Sequence, residues 1–184
     1  MEENKIKSSL KAKLRKNKEF INKQICHFFD WVKGAELISL KECDTKEDPV
    51  RPELDNEFRT SYGRKIYGVQ YKKEIYAIMC FAFTNQIPKT VKELDNFSKD
   101  AFLQSTLRGQ QVGKIAIAYT VWSKKKGGGK LIVKEVFKMI KKSNHLNRLV
   151  TLSPLTVMAT KFHLRNKAKL VSVNETTQNF EYVK

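Results

Sequence analysis

Lys124-Lys-Lys-Gly127-Gly-Gly129-Lys130 is the segment of this chain whose residue types most directly prescribe a chemistry. Adjacent glycines let successive backbone N–H groups turn toward one anion. A helix that begins there adds the unbonded N–H groups of its first turn and the positive end of its dipole. A β-rich apolar run, Ile115 to Trp122, precedes the segment, and an apolar run at helical spacing, Leu131 to Ile140, follows it. Strand, glycine turn and helix start, in that order, make a phosphate cradle from Gly127, Gly128 and Gly129, with Lys124 and Lys130 as flanking cations. The plainer reading of three glycines is a flexible loop. A nucleotide P-loop does not fit, since it needs glycine at 124 and Ser or Thr at 131, where this chain has Lys124 and Leu131.

The rest of the chain must hold that cradle. At 184 residues it suits one domain that needs no staple, with 1–33 as an N-terminal amphipathic helix and 34–184 as the core. Its three cysteines, Cys26, Cys43 and Cys80, are far apart and form no Cys-x-x-Cys pair, which points to reduced thiols in a cytoplasmic protein. No Asp/Glu/His/Cys cluster has ligand spacing, so no metal is expected. The charged first eighteen residues and the lack of a long apolar run argue against a secretory signal or membrane partner.

The net charge of +17 attracts polyanions, but about four lysines for each arginine, spread along the chain, suit solvated faces better than base reading. A nucleic-acid partner is therefore the weaker reading, and an anionic small ligand the stronger.

Apolar residues from Ile6 to Val32 recur at steps of three and four, which predicts a helix over Lys5 to Lys33. A short strand is expected at Leu37 to Leu40. The stretch Asp44 to Glu57 is acidic, proline-bearing and aperiodic, and reads as an exposed loop. Tyr62 to Tyr71 and Ile75 to Phe83 form a hairpin through Lys72-Lys73-Glu74. Pro88 suits the first turn of a helix carrying Val91, Leu94, Phe97, Ala101 and Phe102. After the strand Gly113 to Trp122 and the helix Leu131 to Ile140 come a strand at Leu149 to Leu152, a helix at Thr156 to Lys167, and two strands, Leu170 to Val173 and Asn179 to Val183. This order predicts an α/β (α+β) domain with a mixed, mostly antiparallel sheet flanked by helices.

Lys124, Gly127 and Gly129 stand at the three specified positions of Gln/Arg-x-x-Gly-x-Gly/Ala, the pyrophosphate signature of the GNAT acyltransferase superfamily, which the chain resembles here. Ala159-Thr-Lys-Phe162-His163 is similar to that superfamily's last helix, with His163 where many members carry a proton-donating tyrosine. Within the superfamily the match is nearest to the catalytic domain of malonyl-CoA decarboxylase. That domain has a Leu-Ser-Pro turn and a Phe-His-Leu-x-Asn-Gly-Ala segment supplying a catalytic serine and histidine. Here Leu152-Ser153-Pro154 and Phe162-His163-Leu164-Arg165-Asn166-Lys167-Ala168 match them, with nine residues between the serine and the histidine and Lys167 in the place of the glycine.

The resemblance implies a coenzyme A thioester, acetyl-CoA or malonyl-CoA, as substrate. Lys124, Gly127, Gly128, Gly129 and Lys130 would lie on its pyrophosphate, and the backbone of Tyr119 and Val121 on its acyl end. It implies acyl transfer to an unidentified acceptor, or decarboxylation of a malonyl thioester by Ser153 and His163, with Tyr119 a further acid–base candidate. A CoA-sensing or nucleic-acid-binding module on the same fold stands third. From residue types alone, Ser153 reads as a turn, and His163 and Tyr119 as packing residues. His27 and His145 lack supporting neighbours.

Overall fold

The structure, a computed structural model, describes residues 13–21 and 31–183. The chain divides into two compact units, Met1–Ala35 and Glu36–Lys184. In the first, 13–21 and 31–34 are helical, and the remainder of the helix expected over Lys5 to Lys33, with Cys26 and His27, lies outside the described residues.

The second unit is built on one eight-stranded sheet: β1 (Glu36–Leu40), β2 (Lys65–Tyr71), β3 (Glu74–Thr84), β4 (Ile115–Ser123), β5 (Arg148–Thr151), β6 (Ser153–Pro154), β7 (Lys169–Val173) and β8 (Thr177–Tyr182). β1 to β4 form an antiparallel meander, β4 and β5 are parallel, and β8 lies between β5 and β7, antiparallel to both. The β2–β3 hairpin turns at Lys72 and Lys73, both at positive φ, as the right-handed twist of the flanking strands requires. Among the described residues no helix is long and apolar enough to cross a membrane.

β3 is buried along most of its length because helices cover both sides of it. Ile78, Cys80 and Ala82 share one core cluster with Leu94 of the Val91–Arg108 helix. On the other face, Ala77 meets Gly128 of the Gly128–Lys142 helix, whose Leu131, Ile132, Val136 and Ile140 are buried. The parallel β4–β5 pair is joined by that second helix, as a parallel crossover demands.

Three departures from the sequence expectation have a local reason. Pro88 lies outside its helix: the cap is Thr90, whose hydroxyl accepts from Glu93 N, while Glu93 reaches back to Lys89 N at 2.7 Å. The helix after β4 starts within the glycines, at Gly128, because Gly127 takes the left-handed conformation (φ 87°). The stretch read as an exposed loop, Asp44 to Glu57, is instead structured and partly buried. It holds a short 3-10 turn (Thr45–Glu47) and the start of the Asn56–Thr60 helix, and Asp48 and Arg51 point inward.

Candidate active site

β4 and β5 pair in parallel only from Ile115↔Arg148 to Ala118↔Thr151. The last bond between the diverging chains runs from Leu152 N to Ala118 O at 2.9 Å. The divergence begins where β4 carries an extra residue. Cys80 faces Thr120 and Phe81 faces Ala118, so Tyr119 is bulged out of the β3 register, and a bulge bends and twists its strand. Beyond it a cleft opens between the two strands.

The cleft contains a cavity of about 290 Å³. Met79, Trp122 and Leu149 contribute to its apolar wall, Pro49 and Val50 close it on one side, and Ser153, His163 and Tyr182 line it on the other. Its size suits the end of a ligand, not a whole nucleotide cofactor. Ser123, Gly129, Met158 and Phe162 also line a second, open pocket, so the two are contiguous. That outer pocket is basic, with Lys124, Lys125, Lys126 and Lys130 on one side and Lys161 and Arg165 of the Val157–Arg165 helix on the other.

Ser153 Oγ lies 2.8 Å from His163 Nε2 and 3.0 Å from Thr151 Oγ1, and His163 Nδ1 lies 2.8 Å from Tyr182 Oη. The order Thr151–Ser153–His163–Tyr182 is a continuous line of side-chain hydrogen bonds, and all four residues are buried. His163 stacks on Phe180 (ring centroids 4.9 Å) and meets the Phe162 edge at 5.1 Å. Burial pushes its pKa down to about 4, so the imidazole is neutral at physiological pH. Burial likewise pushes the Tyr182 phenol upward. Two tautomers satisfy the line: the proton sits on Nε2 when Tyr182 donates to Nδ1, and on Nδ1 when Ser153 donates to Nε2.

Secondary structure fixes these positions. Ser153 is the first residue of β6, paired with Gln178 of β8, and Tyr182 ends β8. His163 sits near the end of its helix, which closes in a Schellman motif: Ala168 N bonds to His163 O and Lys167 N to Leu164 O. Lys167 occupies the left-handed position of that motif (φ 67°), where glycine is usual.

The structure brings Ser153 and His163 together, and with them Tyr182, which the sequence did not single out. Val121, half-buried, lines the cavity. The Tyr119 ring lies in the core, edge-on to Phe58 at 5.9 Å; among the described residues its hydroxyl has no partner, and burial raises its pKa. Its backbone carbonyl accepts from Arg51 Nε at 3.0 Å.

The glycine loop also divides. The N–H groups of Lys124 and Lys125 both bond to Tyr76 O, tying the loop to the strand beside it, and Lys124 Nζ pairs with Glu47. Gly128 faces inward, where a Cβ would meet Tyr76 O at 2.7 Å and Ser123 Oγ at 2.6 Å, so packing leaves no room for a side chain there. Gly129 faces Phe162 across the pocket, with a Cβ contact of 3.1 Å. The Gly128 N–H is used by Lys125 O, and the N–H groups of Gly129 and Lys130 have no carbonyl one turn back to accept them. Lys161 and Arg165, missed in the sequence, are four residues apart on one helix and line the outer pocket. That i, i+4 spacing, which puts both on one helix face, was the available signal.

No protein-family model matches the sequence, and neither does any curated protein. Solved structures do share its shape. An acetyltransferase from Bacillus subtilis, in complex with CoA, superposes with a TM-score of 0.56 at 9% identity, covering 82% of this chain and 99% of that one. The Campylobacter jejuni N-acetyltransferase PseH gives 0.50 at 14% identity, with the same coverage. Malonyl-CoA decarboxylase from Cupriavidus metallidurans gives 0.45 at 20% identity, and this chain spans only 33% of its length. With its bulged β4, glycine turn and parallel β4–β5 cleft, the chain has the GNAT acetyltransferase fold.

Proposed function

We propose that the protein is an acyl-CoA-dependent acyltransferase that works on the thioester with Ser153 and His163. One observation carries the reading: a buried Ser–His pair at 2.8 Å lines an apolar cavity that opens directly into a basic pocket at a helix N-terminus. A CoA thioester has that division of chemistry, with a polyanionic nucleotide at one end and a neutral thioester at the other. The CoA-bound acetyltransferase of the same fold supports the choice of ligand.

In this reading the N–H groups of Gly129 and Lys130, with Lys161 and Arg165, hold the pyrophosphate, and the pantetheine runs inward along β4 to the cavity. The thioester carbonyl lies where Ser153 Oγ or a β4 N–H can donate to the oxyanion that forms on attack. As the thioester breaks, Ser153 gives its proton to the departing CoA thiolate and takes the Nε2 proton of His163, whose Nδ1 takes the proton of Tyr182; Tyr182, which also lines the cavity, takes the proton that the acceptor's nucleophile loses. Among the described residues His163 is the only imidazole lining the cavity, and no carboxylate lines it. The imidazole therefore relays protons as a neutral group; the imidazolium of a Ser–His–Asp site would lack its counter-ion here.

A second reading, loss of carbon dioxide from a malonyl thioester, is favoured by a specific feature: among the described residues no cation lines the cavity. A malonyl carboxylate held there would lose hydration without gaining a counter-ion, which favours its departure. The enolate would accept the Ser153 hydrogen bond and then a proton on carbon from the His163 relay.

Separate incubations with acetyl-CoA and malonyl-CoA, with and without amine acceptors, test both readings. Free CoA formed only with an acceptor supports transfer, and carbon dioxide released from malonyl-CoA without one supports decarboxylation. Neither product, together with no thermal stabilisation by millimolar CoA, would sink the thioester assignment.

A further inference from the structure

At the apex of the cleft, where the pairing of β4 and β5 ends, the space between the diverging chains is occupied by an arginine. Arg51 Nε donates to Tyr119 O at 3.0 Å, and its Nη2 donates to Leu152 O at 2.9 Å. These carbonyls belong to opposite sides of the cleft. Each would otherwise be a buried acceptor without a donor, the usual cost of pulling two strands apart. Arg51 is itself 7% exposed, and burial pulls its pKa down from the ordinary guanidinium value.

The turn carrying Arg51 is fixed by a buried network around Asp48. Asp48 Oδ1 accepts from Val50 N (2.9 Å) and Arg51 N (3.2 Å), and both of its oxygens accept from Thr120 Oγ1 on β4, at 2.7 and 2.8 Å. Arg59 pairs with Asp48 at 2.9 Å, both side chains being fully buried. The same Nη2 donates to Arg51 O at 2.7 Å, and Nε donates to Leu54 O at 2.8 Å. Pro49 and Val50, held between Asp48 and Arg51, form one wall of the cavity. Loop residues 48–51 are thus bolted to β4 by Asp48 and across to Leu152, beside Ser153, by Arg51.

We propose that Arg51 is a positioning residue, a two-pronged strut that holds the strands apart so that the cleft and Ser153 are in place before ligand arrives. The proposal rests on the reading of the cleft as the thioester site. The geometry explains the residue type. A guanidinium presents donors in a rigid fork that reaches two acceptors at once, whereas an ammonium is a point charge on a flexible stem. The network also contains one carboxylate between two guanidiniums, so charge is a competing explanation, and a lysine at position 51 separates the two.

The test compares Arg51→Met and Arg51→Lys by hydrogen exchange, CoA affinity and turnover. The expected result is faster exchange of the Leu152 amide, which bonds across the cleft apex to Ala118 O at 2.9 Å, in both variants. Turnover should fall by roughly tenfold or more, while CoA affinity, set at the basic mouth, stays within about threefold of the parent. Wild-type turnover in Arg51→Lys would overturn the strut in favour of charge, and unchanged Leu152 exchange in folded Arg51→Met would overturn it outright. If neither variant folds, Thr120→Val, which cuts Asp48 from β4 and leaves Arg51 intact, should show the same faster exchange to a smaller degree; parental exchange there overturns the proposal. Exchange is read without substrate. Faster exchange in a protein whose parent has no thioester activity would therefore support the strut while removing the proposed function.

Discussion

The outer and inner halves of the cleft recognise by opposite means. The mouth gathers cations, Lys124 to Lys126, Lys130, Lys161 and Arg165, on an open surface where each charge is screened and separately replaceable. Among the described residues the interior has no charged lining residue. Its polar groups are few, buried and bonded to one another, from Thr151 through Ser153 and His163 to Tyr182. Under the proposed function affinity belongs to the first region and reactivity to the second, and loss should be graded in one and abrupt in the other.

The sharpest test of that division removes the histidine. His163→Asn should lower turnover about 10²-fold with CoA affinity unchanged, as expected for a proton carrier that does not touch the nucleotide. Ser153→Ala, which cuts the relay between His163 and the thioester, should lower turnover comparably under either reading; full turnover in both variants would show the pair to be structural.

The glycines offer the next contrast, since they sit in one loop but face different ways. Gly129→Val should weaken CoA binding by roughly tenfold in a folded protein, because its side chain enters the pocket against Phe162. Gly128→Val should instead damage folding, since its Cβ would overlap the Tyr76 carbonyl. A calorimetric Kd beside a melting curve distinguishes the two, and equal behaviour would mean that the loop does not divide as described.

At the mouth, Lys161→Ala combined with Arg165→Ala should weaken CoA only several-fold and flatten the salt dependence of the Kd. Turnover at saturating CoA should not change.

Acid probes the interior instead. His163 is held neutral down to about pH 4, well below its ordinary value of 6.5, so between these limits the unfolded chain binds more protons than the folded one. Stability from this group is therefore complete above pH 6.5 and is lost as pH falls toward 4. A melting-temperature profile should show that fall in the parent and a shallower one in His163→Asn. The smallest effect is expected at Lys167. Its replacement by glycine should relieve the left-handed strain and stabilise by about 1 kcal/mol with turnover unchanged.

The two halves also differ in how far the sequence revealed them. The mouth is local: three glycines, their lysines and the helix after them are contiguous, and the strand–turn–helix order follows from period and composition. Ser153 and His163 could be named only through their resemblance to a known pair. Tyr182 comes from a strand 19 residues further on, and nothing in its spacing marks it as the partner of His163. The strut was misread altogether. Acidic, proline-bearing segments are usually solvated, yet Asp48, Arg51 and Arg59 are buried because each neutralises or hydrogen-bonds another, an arrangement invisible to composition. Three of the chain's seven arginines, Arg51, Arg59 and Arg64, are buried within one short stretch, a concentration that was available as a hint.

The place of β8 has a consequence for how the protein is made. This strand is the last of the eight to be synthesised, yet it lies between two earlier ones, β5 and β7, and supplies the tyrosine behind His163. On the ribosome the meander β1 to β4 can collapse as soon as it emerges, and the crossover to β5 can follow. The sheet then waits with a slot open until residue 182 has cleared the exit tunnel. The basic mouth is complete before that moment and the buried line of hydrogen bonds is not, so under the proposed function a nascent chain should be able to hold its ligand before it can act on it.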